Sequence, residues 1–181
     1  MRRPTTVFVD RDGVVNRKQP EGRYVNSLSE FDLLPGSLEA LAGFARSGIK
    51  VVVVTNQQGV AKGVTDEKML TQIHSHLNAE VEAAGGRISQ IRVCNHLAGS
   101  CACRKPDIGL FEQARALDPE IDFSQSAVIG DSETDIEAAH RIGARAVLVT
   151  GHSGGAVRPD GTTEVADLSE ALNLLTEPDV V

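Results

Sequence analysis

The sequence predicts an α/β fold: a single domain in which helices cover both faces of a doubly wound, parallel sheet. Short β-branched runs alternate with segments of helical period along most of the chain, the pattern of successive βαβ units. "IKVVVV" (residues 49–54) is apolar except at Lys50, as expected of a strand covered on both sides. Aromatic residues are scarce, with no Trp and a single Tyr in 181 residues, so Val, Leu, Ile and Ala must fill the core. That length suits one domain, taken as 1–181, with room for a sizeable core.

The elements follow in order. Residues 5–9 form a short apolar run, a first buried strand ending at Asp10. Residues 13–35 are polar and irregular, with Pro20, Gly22 and Pro35. Ser37 is expected to cap a helix that carries Leu38, Leu41, Ala42 and Ala45 on one face and stops at Gly48. After the second strand and the polar loop "TNQQGVAKG", Thr65 opens a long helix with Leu70, Ile73, Leu77 and Val81 at helical spacing. A third strand is expected over 88–93, a helix over 108–117 and a fourth strand over 126–130. A helix over 133–142, a fifth strand over 145–149 and a last short helix near 168–175 complete the series. No insertion is long enough to form a large cap domain. "GHSGG" (151–155) reads as a flexible connection. His74 and His76 read as helix-surface residues, and His140 and His152 show no evident partner.

Charge narrows the function classes. The formal net charge is −7, and no basic groove is evident, which argues against a nucleic acid or an acidic membrane as partner. An anionic small molecule fits if a few basic residues converge locally. No apolar run approaches the roughly 20 residues that span a bilayer, and "TVFV" is too short for a secretory segment. A cytoplasmic protein is expected, with a monomer as the default.

In a doubly wound sheet, ligands bind at the carboxyl ends of the strands. The residues leaving those ends are Asp10, Thr55, Cys94, Asp131 and Thr150. "DRDG" sets Asp10 and Asp12 two positions apart on a turn that Gly13 permits. By itself this is an acidic turn; at a strand end, the pair suits a nucleophile and a general acid and base. Asp131 suits either a helix cap or a ligand that joins Asp10 around Mg²⁺, and Asp135, one helical turn later, either a favourable first-turn charge or a functional carboxylate. Thr55, the amides of Asn56 and Gln57, and Lys105 offer donors to a phosphate.

All three cysteines of the chain lie in "CNHLAGSCACRKP" (94–106). Cys94, His96, Cys101 and Cys103 form a Cys₃His set suited to a closed, structural Zn²⁺ site; the alternative is three buried, reduced cysteines. A zinc loop over 94–103 would order the segment that delivers Arg104 and Lys105 to the crevice.

"DRDGVVN", "VVVVTNQQG", "CRKP" and "GDSETDIEAA" resemble, in order and spacing, the four motifs of the haloacid dehalogenase superfamily of phosphohydrolases, which have a Rossmann-like fold. The resemblance covers residues 5 to about 150. It implies that Asp10 is the nucleophile forming an aspartyl-phosphate and Asp12 the general acid and base. Mg²⁺ would be held by Asp10, Asp131 and the backbone carbonyl of Asp12, with Thr55 and Lys105 on the transferring phosphoryl group. Within the superfamily, a zinc loop ending in "CRKP" resembles two groups, the heptose-bisphosphate and the histidinol-phosphate phosphatases. "TNQQGVAKG" is similar to the heptose group, as is "GRYV" (Gly22, Arg23, Tyr24 and Val25), its substrate loop; Asn56, Gln57 and Arg104 would join in substrate binding. The implied reaction removes the 7-phosphate of a heptose 1,7-bisphosphate, in nucleotide-activated heptose biosynthesis. Only four residues separate His96 from Cys101, a compactness that resembles the histidinol group. A binding module without catalysis would have lost Asp10, Asp12 or Lys105, and all three are present.

Overall fold

The protein is described by a computed structural model covering residues 3–151 and 161–177. His152 and most of the 151–155 connection lie outside the described residues. The strands are β1 (Thr6–Val9), β2 (Lys50–Asn56), β3 (Gln90–Cys94), β4 (Ser126–Gly130), β5 (Arg145–Val149) and β6 (Thr162–Val165). The helices are α1 (Ser37–Arg46), α2 (Glu67–Ala83), α3 (Gly109–Leu117), α4 (Glu133–Ile142) and α5 (Leu168–Thr176). The strands form one parallel sheet in the order β3-β2-β1-β4-β5-β6.

Strand alternation sorts the side chains onto two faces. In β1, Val7 and Val9 enter a core with Leu41 and Phe44 of α1, Ile73 and Leu77 of α2 and Ala171 and Leu175 of α5. Phe8, between them, enters the opposite core with Phe111 of α3 and Ile136 of α4, and its ring meets the Phe111 ring edge-on at 4.9 Å between centroids. Burial on both faces explains why β1 and the middle of β2 read as unbroken apolar runs.

The structure differs from the sequence reading at element ends. Gly36, with φ of 76°, caps α1, so Ser37 is its first helical residue and not its cap. Asp66 caps α2 by accepting from the Lys68 amide at 2.7 Å, while the Thr65 hydroxyl donates to Asn26 Oδ1 at 2.8 Å. The unanticipated β6 is a four-residue edge strand of which only Val165 is buried, too little apolar surface to register as a strand signal. Among the described residues, no helix is long and apolar enough to cross a membrane.

The chain winds outward from β1 to β3 on one side, then crosses to β4 and winds outward to β6 on the other. The switch falls between β1 and β4, where crossovers leave in opposite directions and open a crevice at the carboxyl ends. Asp10 and Asp131 leave the two strands that flank it.

Candidate active site

A cleft of about 310 Å³ opens at this switch point. It is lined by Asp10, Asp12, Thr55, Asn56, Gln57, Arg104, Lys105, Asp131 and the 22–25 segment. Of the strand-end residues named from the sequence, Asp10, Thr55 and Asp131 therefore share one cavity, whereas Cys94 and Thr150 do not line it. Gly13 makes the first turn possible in two ways. Its φ is +100°, and a Cβ there would sit 2.2 Å from Asp131 Oδ2, so a side chain would block the approach of the two acidic strand ends.

Lys105 is the electrostatic centre. Its side chain is 2% exposed, and Nζ lies 2.7 Å from Asp10 Oδ1 and 2.6 Å from Asp135 Oδ1. It also donates to the Val54 carbonyl at 2.9 Å. Burial opposes its charge, but Asp10 and Asp135 outweigh that and raise its pKa. Burial pushes Asp10 up to about 7; Lys105 opposes the shift, and the like charges of Asp135, Asp131 and Asp12 add to it. Asp135 is thus a member of the site and not only a first-turn charge: its Oδ2 also accepts from the Ser132 amide at 3.2 Å and hydroxyl at 2.5 Å. Oxygens of Asp10, Asp131 and Asp135 lie within 4.8 Å of one another, an all-oxygen set suited to a hard cation. Lys18, which the sequence did not single out, reaches Asp131 Oδ2 at 2.8 Å from a largely exposed position.

Asp12 sits apart from that cluster. Its carboxylate accepts from Arg11 Nη2 at 2.9 and 3.0 Å, Asn16 Nδ2 at 2.9 Å and Gln57 Nε2 at 2.6 Å. Burial alone would raise its pKa, but Arg11 and these hydrogen bonds outweigh burial and lower it. Thr55 Oγ1 accepts from Gln57 Nε2 at 2.9 Å, which leaves its own proton to donate. One expectation for the second strand end changes. The Gln57 amide donates to the Cys94 carbonyl at 2.7 Å and is not available to a phosphate. The Asn56 side chain clasps the Lys105 backbone, with Nδ2 donating to the carbonyl at 3.2 Å and Oδ1 accepting from the amide at 3.1 Å.

One rim is built from the 22–25 segment. Val25 is buried in the core, anchoring Tyr24, whose ring lies so close to Gly59 that a Cβ there would meet its Cγ at 2.8 Å. Lys62 Nζ lies 3.2 Å from the Tyr24 hydroxyl, so two loops close one side of the cleft, with Gly22 and Arg23 exposed on the rim. Arg104 also lines the cleft, and its buried Nη1 has no hydrogen-bond partner among the described residues.

The cysteine loop is seated where β3 ends. Cys94 Sγ lies 3.6 Å from Cys101 Sγ and 3.8 Å from His96 Nδ1, and Cys103 Sγ lies 3.4 and 3.2 Å from the same two atoms. A tetrahedral Zn²⁺ with bonds of about 2.3 Å to sulfur and about 2.0 Å to nitrogen separates its ligand atoms by about 3.5–3.8 Å. The four side chains therefore already approximate a tetrahedral donor set. Burial and the neighbouring thiols push Cys103 up to about 12.

The comparisons with known proteins agree with this geometry. A family described as HAD-hydrolase-like matches residues 102–171. The D-glycero-alpha-D-manno-heptose-1,7-bisphosphate 7-phosphatase of Mycobacterium tuberculosis (strain CDC 1551 / Oshkosh) is 39% identical over 157 residues, 83% of this chain and 82% of its own. The chain belongs to the HAD-like hydrolases. Another relative, the D-glycero-beta-D-manno-heptose-1,7-bisphosphate 7-phosphatase of Pseudomonas aeruginosa, is 34% identical over 94% of this chain and 97% of its own. The crystal structure of D,D-heptose 1,7-bisphosphate phosphatase from Bordetella bronchiseptica, complexed with magnesium and phosphate, superposes with a TM-score of 0.84. It is 34% identical over 94% of this chain and 97% of that one.

Within this HAD-like hydrolase, sequence reasoning missed the Lys18 contact and the inner partners of Asp12. Arg11 is fully buried, and His74, expected on a helix surface, lies with Nε2 3.0 Å from Arg11 Nη1. His76 is exposed, as expected of a helix-surface residue, and His140 is exposed too. The available signal for His74 was its position beside Ile73 on the buried side of α2; nothing in the sequence paired it with Arg11.

Proposed function

We propose that this chain is a Mg²⁺-dependent phosphatase that removes the 7-phosphate of D-glycero-D-manno-heptose 1,7-bisphosphate through an aspartyl-phosphate on Asp10. The observation that carries the chemistry is the buried Lys105 ammonium 2.7 Å from Asp10, at a switch point that also holds Asp12, Thr55 and Asp131. The names of the relatives supply the substrate.

The donor set fits Mg²⁺: three buried carboxylates, of Asp10, Asp131 and Asp135, converge with one buried ammonium among them. Asp10, Asp131 and the backbone carbonyl of Asp12 would hold the ion. When bound it supplies positive charge that offsets the repulsion between carboxylate and phosphate. Asp10 attacks phosphorus while the bond to the sugar oxygen breaks, and Asp12 gives that oxygen a proton. Water then attacks phosphorus, the bond to Asp10 breaks, and Asp12 takes the water's proton; sugar alcohol and phosphate leave. Lys105 and the Thr55 hydroxyl hold the phosphoryl oxygens as charge develops on them. Asp12, ionised at rest against Arg11, is ready for the second step, and the negative charge of an entering phosphate raises its proton affinity for the first.

Cys94, His96, Cys101 and Cys103 would hold a structural Zn²⁺, ordering the loop that carries Arg104 and Lys105. Arg104 faces the part of the substrate beyond the reacting phosphate, where a second phosphate suits a guanidinium; Gly22, Arg23, Tyr24 and Val25 form the other wall. The partner is thus a small sugar phosphate, not a nucleic acid or membrane, and the protein acts as a single-domain monomer in the cytoplasm.

The test is kcat/KM with Mg²⁺ for both anomers of the heptose bisphosphate and for histidinol phosphate, with Asp10→Asn as blank. A preference of about 100-fold or more for a heptose, about 2.7 kcal/mol, is expected, and Asp10→Asn should lose turnover at unchanged fold. Preference for histidinol phosphate would overturn the substrate; an active Asp10→Asn would overturn the mechanism.

A further inference from the structure

Arg11 carries a fully buried guanidinium whose partners come from two directions. Nη2 donates to both oxygens of Asp12 at 2.9 and 3.0 Å, and Nε reaches Oδ1 at 3.3 Å. Nη1 instead points to α2, 3.0 Å from His74 Nε2, and the Phe31 ring lies 5.8 Å from Cζ. An arginine guanidinium only donates. His74 Nε2 is therefore the acceptor, and the ring is the neutral tautomer with its proton on Nδ1.

We infer that His74 is a positioning residue for Asp12, acting through Arg11; the inference rests on the reading of Asp12 as general acid. A guanidinium is planar, so fixing Nη1 from α2 fixes the plane in which Nη2 and Nε face the carboxylate. Without an acceptor at position 74, Nη1 would be left buried and unpaired. It regains a partner only by turning the guanidinium, which spoils the two-oxygen contact on Asp12. A small displacement of a proton donor is costly in rate, because transfer to the leaving oxygen needs hydrogen-bond reach. His74 thus acts on the step in which Asp12 protonates the leaving oxygen, not on the attack by Asp10. Its loss should therefore be felt in proportion to how much the leaving group needs that proton.

The experiment measures single-turnover release of the leaving group from the Mg²⁺-loaded full chain, with heptose 1,7-bisphosphate and 4-nitrophenyl phosphate. The nitrophenolate needs no proton to depart. His74→Leu should slow release from the heptose substrate about 10-fold, leaving its KM and the aryl phosphate rate within about twofold; His74→Gln, which can present an acceptor, should recover to within about threefold. His74→Asn, polar but too short to reach, repeats the comparison if the leucine variant does not fold. Equal slowing of both substrates, no slowing, or failure of His74→Gln to recover would overturn the inference. Asp12→Asn is the control. If it also slows both substrates alike, the acid reading of Asp12 falls; if it discriminates and His74→Leu does not, only the role of His74 falls.

Discussion

The cysteine loop and the acidic cleft each gather side chains that could hold a metal ion, and they are built in opposite ways. The loop's four donors lie within residues 94–103, are soft, and form a closed set at 3.2–3.8 Å along four of its edges. The cleft's three carboxylates come from residues 10, 131 and 135, are hard, and lie beside a cavity open to a substrate. A closed soft site has no position left for water and serves structure. An open hard site serves chemistry. Lys105 joins the two: it follows the last cysteine by two positions and ends between two of the cleft's carboxylates.

That division can be tested from the cleft side first. Lys105→Met should lower turnover by about 10²–10³ through loss of a preorganised positive charge, and cost about 3–5 kcal/mol in stability because Asp10 and Asp135 stay buried without it. Zinc content, measured by atomic emission, should not change. A variant that lost its zinc as well would show that the regions are not separable.

From the loop side, Cys101→Ser should reverse the ranking. Zinc content should fall well below one equivalent, and stability by at least about 2 kcal/mol, a drop of about 4–8 °C in Tm. Turnover should fall only about 10-fold, since Asn56 still clasps the Lys105 backbone. Full zinc occupancy at unchanged Tm would remove the loop as a metal clamp.

The smallest effect sharpens the contrast within the cleft itself. Burial, with Arg11 adding to it, lowers the His74 pKa from 6.5 to about 4. Between those values the unfolded chain binds a proton at position 74 that the folded chain refuses, so this contribution is complete above pH 6.5 and is lost as pH falls toward 4. Tm should decline over that window, and less steeply in His74→Gln. Equal slopes would mean that the ring is not held neutral by its surroundings.

Much of this protein was legible in the linear chain. Unbroken apolar runs marked β1, β2 and β4 because both their faces are covered, and β4, α4 and β5 fall on the expected residues. Asp10, Thr55 and Asp131 were legible because the strand-end rule turns position in a parallel sheet into a candidate site, and Lys105 because it lies in "CRKP" after the third strand. The cysteine set was legible because its donors are neighbours in sequence. By contrast, the short edge strand β6 was hidden by its small apolar content, and the Gln57 amide was assigned to a phosphate although the backbone uses it to pair with Cys94.

The sequence by itself determined the fold class, the strand-end acids and bases, and a local cluster of thiols and imidazole. Each is a matter of periodicity or spacing along the chain. Only the tertiary structure decided that Asp135 shares Lys105 with Asp10, that Lys18 reaches Asp131, and that His74 meets Arg11 behind Asp12. These contacts join residues separated by 30 to 113 positions, and whether such groups meet depends on which faces the crossovers bury. Their strength, too, depends on burial, which lengthens the reach of a charge by removing water and is a property of the packed sheet, not of any single segment.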